Sequence, residues 1–502
     1  MKIWISCCLI ILSVCHAFSQ EIFPAVMRGD LDRVEILIET HPEWINATSW
    51  GGWTPLHRAA QFGHGDIVDL LISKGSNVEA RTNLGMTPLY VAIIGQKSDV
   101  VKQLIDKGAD VFAPRKDGET MLHNAAALGQ KDIVEILISN GLEVDVTKRY
   151  GITPLHLASV FGRKSTVEAL LSNGAEIDRK NDNGSTALHL AAAAGETQIV
   201  VLLKEKGASD APERYDEIIG DYLGQKKPDS TPELFAPGIL LNTHRPHGSI
   251  AFSPDGKEIY WAAALTYGAF QKIWMMHQNN SQWSSPKAVS FPDPYTYGGP
   301  AISPDGKRFF FDILKPPDEN DQRPDHDIGF RERHAPGWGD VIKPGLPLNS
   351  DKSALGPSVS RNGTVYFYSF DMEGGFGSVD IYRSRLTKDG YEKPENCGDA
   401  INTEFMDTLP CIAPDESYLL FSSMRPDGYG DFDLYVSYRN EDGTWTKARN
   451  LGKKINTSAR ESSSIVSPDG KHLFFMSRRN GIGEYFWVDA KIIKELKPKD
   501  LK

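Results

Sequence analysis

The spacing of apolar residues changes once along this chain. From about residue 21 to 211 they fall in short runs with a helical period, each closed by glycine. Asp66 to Ser73 carries Ile67, Val68, Leu70, Leu71 and Ile72 and is followed by Gly75. The same skeleton returns as Asp99-Val100-Val101…Leu104-Ile105…Gly108, Asp132-Ile133-Val134…Leu137-Ile138…Gly141 and Thr166-Val167…Leu170-Leu171…Gly174. Each run predicts one short helix with a glycine stop. Ahead of it lies a second predicted helix, Leu56 to Phe62 in the first clear copy, with Thr54 as cap, Pro55 in the first helical position and Gly63 as the break. After about residue 236 the period becomes two. Glu258-Ile259-Tyr260-Trp261, Arg308-Phe309-Phe310-Phe311 and Val365-Tyr366-Phe367-Tyr368 read as strands.

The helical unit repeats every 33 residues. Thr54-Pro55-Leu56-His57 is followed by Thr87-Pro88-Leu89-Tyr90, Thr120-Met121-Leu122-His123, Thr153-Pro154-Leu155-His156 and Thr186-Ala187-Leu188-His189. One such unit is too small to bury its own apolar face, so stacking is required and a solenoid follows. On these motifs residues 20–211 resemble ankyrin repeats, about six of them, with Glu21 to Ile45 as a degenerate first copy. The resemblance implies a concave face that holds a protein partner. Eight residues after each leading threonine stand Phe62, Gly95, Leu128, Phe161 and Ala194, and the hairpin tips carry Arg81, Arg115, Lys116, Lys148, Arg149, Arg179 and Lys180. Either set is a candidate contact surface; the plainer readings, helix padding and solvated turns, are preferred. The histidines at 57, 123, 156 and 189 recur one repeat apart, roughly 10 Å, whereas ligands of one zinc ion sit within about 2.1 Å of it. They are expected to be structural hydrogen-bonding residues.

A second repeat occupies the strand-rich part. Ser253-Pro254-Asp255-Gly256-Lys257 returns at Ser303 and Ser467, with weaker copies at Ser360-Arg361-Asn362-Gly363 and Ala413-Pro414-Asp415-Glu416. Each is a tight turn between two strands. Two further strands follow, the last near Leu348-Asn349-Ser350, Ile401-Asn402-Thr403 or Ile455-Asn456-Thr457. Four strands per unit of about 50 residues make one propeller blade. Residues 236–490 resemble the WD40-like propeller repeats of the TolB-type family, which implies five blades, or six with one degenerate unit. Leu240-Leu241-Asn242-Thr243 matches a fourth-strand ending but precedes the first blade, so the N-terminal strand is expected to complete the last blade. The fold class is multidomain α plus all-β. Residues 1–19 are read as a signal peptide, 20–211 as the solenoid, 212–235 as a linker with a short helix over Asp216 to Gln225, 236–490 as the propeller and 491–502 as a tail.

The candidate chemistry is sparse. No Gly-x-Ser-x-Gly elbow exists; the nearest string, Gly356-Pro357-Ser358-Val359-Ser360, lacks the last glycine. Propellers that act as glycoside hydrolases or lyases use loops entering the innermost strands, which here carry Arg245, His247, Tyr295, Tyr297, Lys352, Asp407, Arg460 and Glu461. Asp407 and Glu461, from adjacent blades, are the candidate general acid and base, with ordinary rim residues as the alternative. Asp427-Gly428…Asp431…Asp433 has calcium-like spacing without the twelve-residue loop or terminal glutamate of a helix–loop–helix site. The acidic run Asp318-Glu319-Asn320-Asp321 reads as a solvated insertion. No metal or cofactor is expected.

Charge and the N-terminus narrow the class. Over 502 residues the net charge is −11, the wrong sign for a general nucleic-acid binder. Lys2, the apolar run Ile3 to Cys15 and Ala17-Phe18-Ser19 form a secretory signal, with lipidation at Cys15 a less favoured variant because Val14 precedes it. Thirteen residues are short of the roughly 20 needed to span a bilayer, so no stable span is expected after removal. Cys397 and Cys411 are then the only cysteines left, either a disulfide pair or, preferred, two buried thiols. The expectation is an exported, periplasmic or extracellular, non-catalytic scaffold for protein partners; the competing reading is a carbohydrate-active enzyme using the propeller funnel.

Overall fold

The computed structural model describes residues 21–113, 119–209, 218–237, 239–240, 249–263, 272–291, 296–315, 325–334, 337–349, 352–370, 372–481 and 483–501. Residues 1–20, on which the expected signal peptide falls, the acidic run at 318–321, and Arg115, Lys116, Arg245, His247 and Tyr295 lie outside them. The chain forms two compact units that divide between Ala211 and Pro212.

In the first unit the described helices come as six pairs, from Ile22–Arg28 with Leu31–Thr40 to Ala187–Ala193 with Thr197–Glu205. The recurring threonine explains where the first helix of a pair starts. Thr54 Oγ1 accepts the His57 backbone amide at 3.4 Å, and the Thr54 amide donates to His57 Nδ1 at 3.2 Å. Two of the orphan donors of a helix start are thereby satisfied. Because Nδ1 accepts, the ring proton sits on Nε2, which donates to the Met86 carbonyl of the next pair at 3.0 Å. His123 reaches Ile152 O at 3.0 Å and His156 reaches Ser185 O at 3.2 Å in the same way. One side chain therefore starts a helix and ties it to its neighbour. Leu56, Leu89, Leu122, Leu155 and Leu188 are all buried, in one core that runs through every pair. Each contributes roughly 1.5–3 kcal/mol by leaving water.

Tyr90 stands where the other copies have histidine. Its hydroxyl donates to Glu119 Oε2 at 2.9 Å, and Lys148 Nζ pairs with Glu119 Oε1 at 2.9 Å. Glu119 is fully buried, so Lys148 neutralises a core carboxylate and is not a solvated hairpin-tip charge.

The second unit is a five-bladed propeller. Blade 2 is Thr296–Ile302, Arg308–Lys315, Asp325–His334 and Gly337–Trp338; blade 3 is Ala354–Val359, Val365–Phe370, Val379–Ser384 and Glu395–Asn396. Blade 4 is Asp407–Ile412, Tyr418–Ser423, Asp433–Tyr438 and Arg449–Asn450. Blade 1 is built on Ile250–Phe252, Glu258–Ala263 and Lys272–Asn279. Blade 5 takes Glu461–Val466, His472–Ser477 and Glu484–Asp489, and its fourth strand is Glu233–Leu234, with Glu233 opposite Trp487 and Leu234 opposite Phe486. An N-terminal strand closes the ring, and it precedes the Leu240 string much as Glu395–Asn396 precedes Ile401-Asn402-Thr403.

Both propeller motifs prove to be fasteners. Ser253, Ser303 and Ser467 donate through Oγ to the aspartate two residues on, at 2.5–2.6 Å, and that carboxylate accepts the following lysine amide at 3.0–3.1 Å. Asn349, Asn402 and Asn456 each clamp both backbone groups of one third-strand residue (Ile328, Ile381 or Leu434) at 2.8–3.0 Å. In the calcium-like string, Asp433 is occupied by the amides of Tyr429 and Gly430 and by Asn450, at 2.6–3.1 Å.

One expectation needs correcting. Residues 218–235 are not a free connector and hold no helix at Asp216 to Gln225 among the described residues; only a short 3-10 turn, Asp221–Gly224, is present. The Trp283 amide donates to Ile218 O, the Gly220 amide donates to Ser281 O, and the Tyr222 ring inserts among Phe252, His472, Phe474 and Trp487. The segment is thus a clasp across the seam between blades 1 and 5, and four ring contacts outweigh its weak helical pattern. Tyr222→Ala is expected to lower propeller stability by about 2 kcal/mol, read as a lower urea midpoint of the near-ultraviolet signal. Cys397 and Cys411 are free thiols: Cys397 packs in the core between blades 3 and 4, Cys411 against the core between blades 4 and 5. Burial pushes their pKa values up, to about 12 and about 11. The tail is also docked: Lys491–Glu495 is helical and Ile493 is buried against blades 4 and 5.

Candidate functional site

On the helical unit the column eight residues after each threonine is not a continuous exposed stripe. Phe62 is 41% exposed, Leu128 is half-buried and Phe161 is 8% exposed. Phe62 is the residue of this set most open to a partner, stacked on His64 at 6.3 Å. Of the tip cations, Arg81 and Arg149 are exposed, with Arg149 over the Tyr150 ring at 5.4 Å. Arg179 lies 3.6 Å from Glu176, so the basic ladder is partly neutralised.

In the propeller the candidate acid and base do not face one another across open space. Asp407 is fully buried; its carboxylate accepts Thr403 N and Thr403 Oγ1, each at 2.7 Å, and pairs with Arg425 at 2.8 Å. Glu461 is fully buried in the equivalent position of blade 5. It accepts Thr457 N at 2.8 Å, Thr457 Oγ1 at 2.9 Å and Ser477 Oγ at 2.6 Å, with Arg479 at 3.6 Å. Both arginines are themselves used up: Arg425 Nε and Arg479 Nε bond the serine two residues earlier at 2.9 Å. A buried carboxylate with both oxygens engaged and no access is a poor proton shuttle. Tyr297 is also buried, stacked face to face on Phe291 at 3.7 Å.

What lines the inner strands instead was not legible from motifs. Each of blades 2 to 5 has a register shift at one place, between Gly298 and Ala301, Leu355 and Ser358, Thr408 and Cys411, and Ser462 and Ile465. The bulge residue is left-handed in all four: Gly299 (φ 52°), Gly356 (φ 61°), Leu409 (φ 53°) and Ser463 (φ 55°). Under the first bulge lies Asp312, whose Oδ1 accepts the amide of Gly356 in the next blade at 2.7 Å. Burial pushes its pKa up to about 7, only partly offset by that amide. A methyl group at 299 would strike the Asp312 carboxylate. Gly299→Ala is therefore expected to destabilise the propeller by about 2 kcal/mol, measured by chemical denaturation. The signal available in the sequence was the pairing Gly298-Gly299-Pro300, Gly356-Pro357 and Leu409-Pro410 ahead of each turn.

Arg460 is the sequence-derived candidate whose geometry departs from the scaffold. It lies over the Phe432 ring at 3.9 Å, its nearest carboxylate is Asp431 at 3.8 Å, and its Nε is buried with no hydrogen-bond partner among the described residues. Among the described residues no group of three or more His, Cys, Asp or Glu is placed to hold a metal, and no helix is long and apolar enough to cross a membrane.

The pattern of the family described as "Ankyrin repeats (3 copies)" matches residues 22–115 and 97–181, and that of "Ankyrin repeat" matches 183–214. Residues 22–214 are ankyrin repeats. Short stretches are similar to proteins of differing names: 39% identity over 66 residues to the 2-5A-dependent ribonuclease of Mus musculus, and 38% over 72 residues to the Probable E3 ubiquitin-protein ligase XBOS33 of Oryza sativa subsp. japonica. A third is Alpha-latrocrustotoxin-Lt1a of Latrodectus tredecimguttatus, at 42% over 60 residues. The three alignments take in 13%, 14% and 12% of this chain and only 9%, 14% and 4% of those proteins. The ankyrin repeats imply protein–protein interaction, and the threonine–histidine lock leaves both ring nitrogens of His57, His123 and His156 engaged inside the domain.

Proposed function

We propose that this chain is a non-catalytic, exported interaction scaffold of the TolB-type propeller kind, holding one protein on the ankyrin groove and offering the propeller face for a second contact. The observation that carries this reading is the run of ankyrin repeats, a stacked surface whose polar signature residues are consumed in holding the stack together. The burial of Asp407 and Glu461 in equivalent scaffold positions supports the absence of hydrolysis. Export rests on the N-terminal segment Lys2 to Ser19. In the test, the full chain and its Phe62→Asp variant are used to capture partners from an envelope extract. A protein retained by the first and lost by the second, with circular dichroism unchanged, is the expected result. Retention that ignores Phe62, Arg81 and Arg149 alike, or turnover of a glycan by the purified chain, overturns the reading. Fractionation of cells expressing the full chain tests export: recovery in the cytoplasm with residues 1–19 intact is the opposing result.

A further inference from the structure

Four of the five seams between neighbouring blades are plugged at the end that carries the Ser-Pro-Asp-Gly turns. Between blades 1 and 2 the plug is Arg333, which lies over the directly opposite Trp338 at 4.2 Å and grips Glu258 through both Nη atoms at 2.5–3.0 Å. Trp338 Nε1 in turn donates to Tyr260 Oη at 3.0 Å. The device recurs between blades 3 and 4, where Arg439 lies over its opposite number Trp445 at 5.2 Å and donates to Tyr366 Oη at 3.1 Å and Glu416 at 2.8 Å. Between blades 4 and 5 the tail serves, with Ile493 buried and its carbonyl accepting from Tyr438 Oη. Between blades 5 and 1 the Tyr222 clasp serves, and Gln278 and Trp283, again opposite one another, donate to Gly220 O at 2.7–2.8 Å.

The seam between blades 2 and 3 departs from this. The register puts Leu386 opposite Tyr391 in the arginine–tryptophan positions, and Phe310 where Tyr260 and Tyr366 stand. The acid is inverted too: Arg308 opens its strand where Glu258 opens the equivalent strand of blade 1. What remains is a cleft of about 430 Å³ lined by Phe310, Val359 and Leu386, with Lys307, Arg308 and Arg361 around them. That volume lies within the roughly 300–1,000 Å³ of ligand pockets. The Tyr391 hydroxyl is buried beside Arg308, and burial carries its pKa up to about 12 against the pull of that cation. Lys307 and Arg361 are exposed and make no ion pair among the described residues. Two acids also line the cleft. Asp305 is held by Ser303 Oγ and the Lys307 amide, and Glu332 reaches Arg308 at 3.4 Å from a side chain 44% exposed. An exposed pair of that kind contributes little and gives way to a better-seated carboxylate. An apolar wall that lacks its tryptophan, beside an arginine that lacks a cross-blade acid, is complementary to an aromatic ring carried between negative charges.

We propose that the seam between blades 2 and 3 is a docking cleft for an acidic segment of a protein partner. An aromatic side chain of that segment takes the place of the missing tryptophan, and its carboxylates meet Arg308 and the rim cations. This rests on the reading of the propeller as a second contact surface and names the chemistry of the contact. The test titrates the full chain calorimetrically, at constant ionic strength, with the peptide acetyl-Glu-Glu-Trp-Glu-Glu-amide. Saturable binding is expected, about tenfold or more weaker for the peptide with alanine in place of tryptophan and for the peptide with lysines in place of glutamates. The triple variant Arg308→Glu, Leu386→Arg, Tyr391→Trp rebuilds the plug of blades 1 and 2, so it should abolish binding and melt no lower than the parent. Lys471→Gln removes a 70% exposed cation from the equivalent turn of blade 5 and should change nothing. No saturable binding by the parent overturns the proposal, as does equal affinity for the alanine or lysine peptide or full affinity in the triple variant. Weakening by Lys471→Gln equal to that by Arg308→Gln would mean general charge attraction and overturns it as well. Should the triple variant fail to fold, Arg308→Gln alone decides: about tenfold weaker binding is expected, and unchanged affinity overturns the proposal. The titration involves no residue of the ankyrin groove, so it can fail while the capture that depends on Phe62 succeeds.

Discussion

Asp407→Ala should unfold the propeller at a markedly lower denaturant concentration, with a loss of about 3–5 kcal/mol. The reason lies in what remains. Arg425 is 10% exposed and would keep its charge with the carboxylate at 2.8 Å gone, while the Thr403 amide and hydroxyl lose their acceptor. Asp407→Asn should fall between, because the amide keeps one oxygen for Thr403 but turns a donor toward the guanidinium. The double variant Asp407→Ala, Arg425→Met should lose less than the two single changes added together, since it leaves no buried charge unpaired. Glu461→Ala should be the milder of the two, with its arginine at 3.6 Å and Ser477 able to rotate. Tryptophan fluorescence in urea separates these cases. A propeller that keeps its full midpoint in Asp407→Ala would mean that the carboxylate is not part of the frame, and would reopen a chemical role for it.

The sequence disclosed most where a residue type is bound to a backbone geometry. Thr54, Pro55 and Gly63 mark helix ends because capping, a fixed φ and a left-handed stop are local needs, so all the helix pairs could be read from spacing. Ser-Pro-Asp-Gly is legible for the same reason: its serine and aspartate bond one another two residues apart. The fourth strand of blade 5 was legible only through the string that follows it, because two-residue strands such as Glu233–Leu234 carry almost no pattern of their own. The clasp at Tyr222 was read as linker, since its stabilising contacts come from Phe252 and Trp487, far apart in sequence. Asp407 and Glu461 show the limit for sites. Acidic residues at the start of an inner strand look alike whether they face a channel or bind the strand's own loop, and only the positions of Arg425 and Arg479, eighteen residues on, distinguish the two.

Mild acid should dismantle the ankyrin domain before carboxylate titration becomes important. His57 and His156 are buried with Nδ1 accepting the threonine amide and Nε2 donating to a carbonyl of the next repeat. A second proton would displace the amide that Nδ1 accepts, and burial holds both pKa values down from 6.5 to about 4. In the unfolded chain the same rings take up a proton near 6.5. Between these values the unfolded state binds more protons than the folded one, so stability is complete above about pH 6.5 and falls as pH drops toward 4, where the dependence levels off. Each ring accounts for about 3 kcal/mol over that window, which for two is a large part of the stability of a domain this size. The overall charge of −11 shrinks over the same range, and by itself would relieve repulsion and act in the opposite direction. Replacement separates the two effects. His156→Gln lowers stability at pH 7 by removing the lock, but it should flatten the slope between pH 6.5 and 4.5 by about half, measured as the urea midpoint of the helical signal at 222 nm. A parent whose helical midpoint is level across that window would show that these rings are not held neutral, and the inter-repeat stitch through Nε2 would have to be given up.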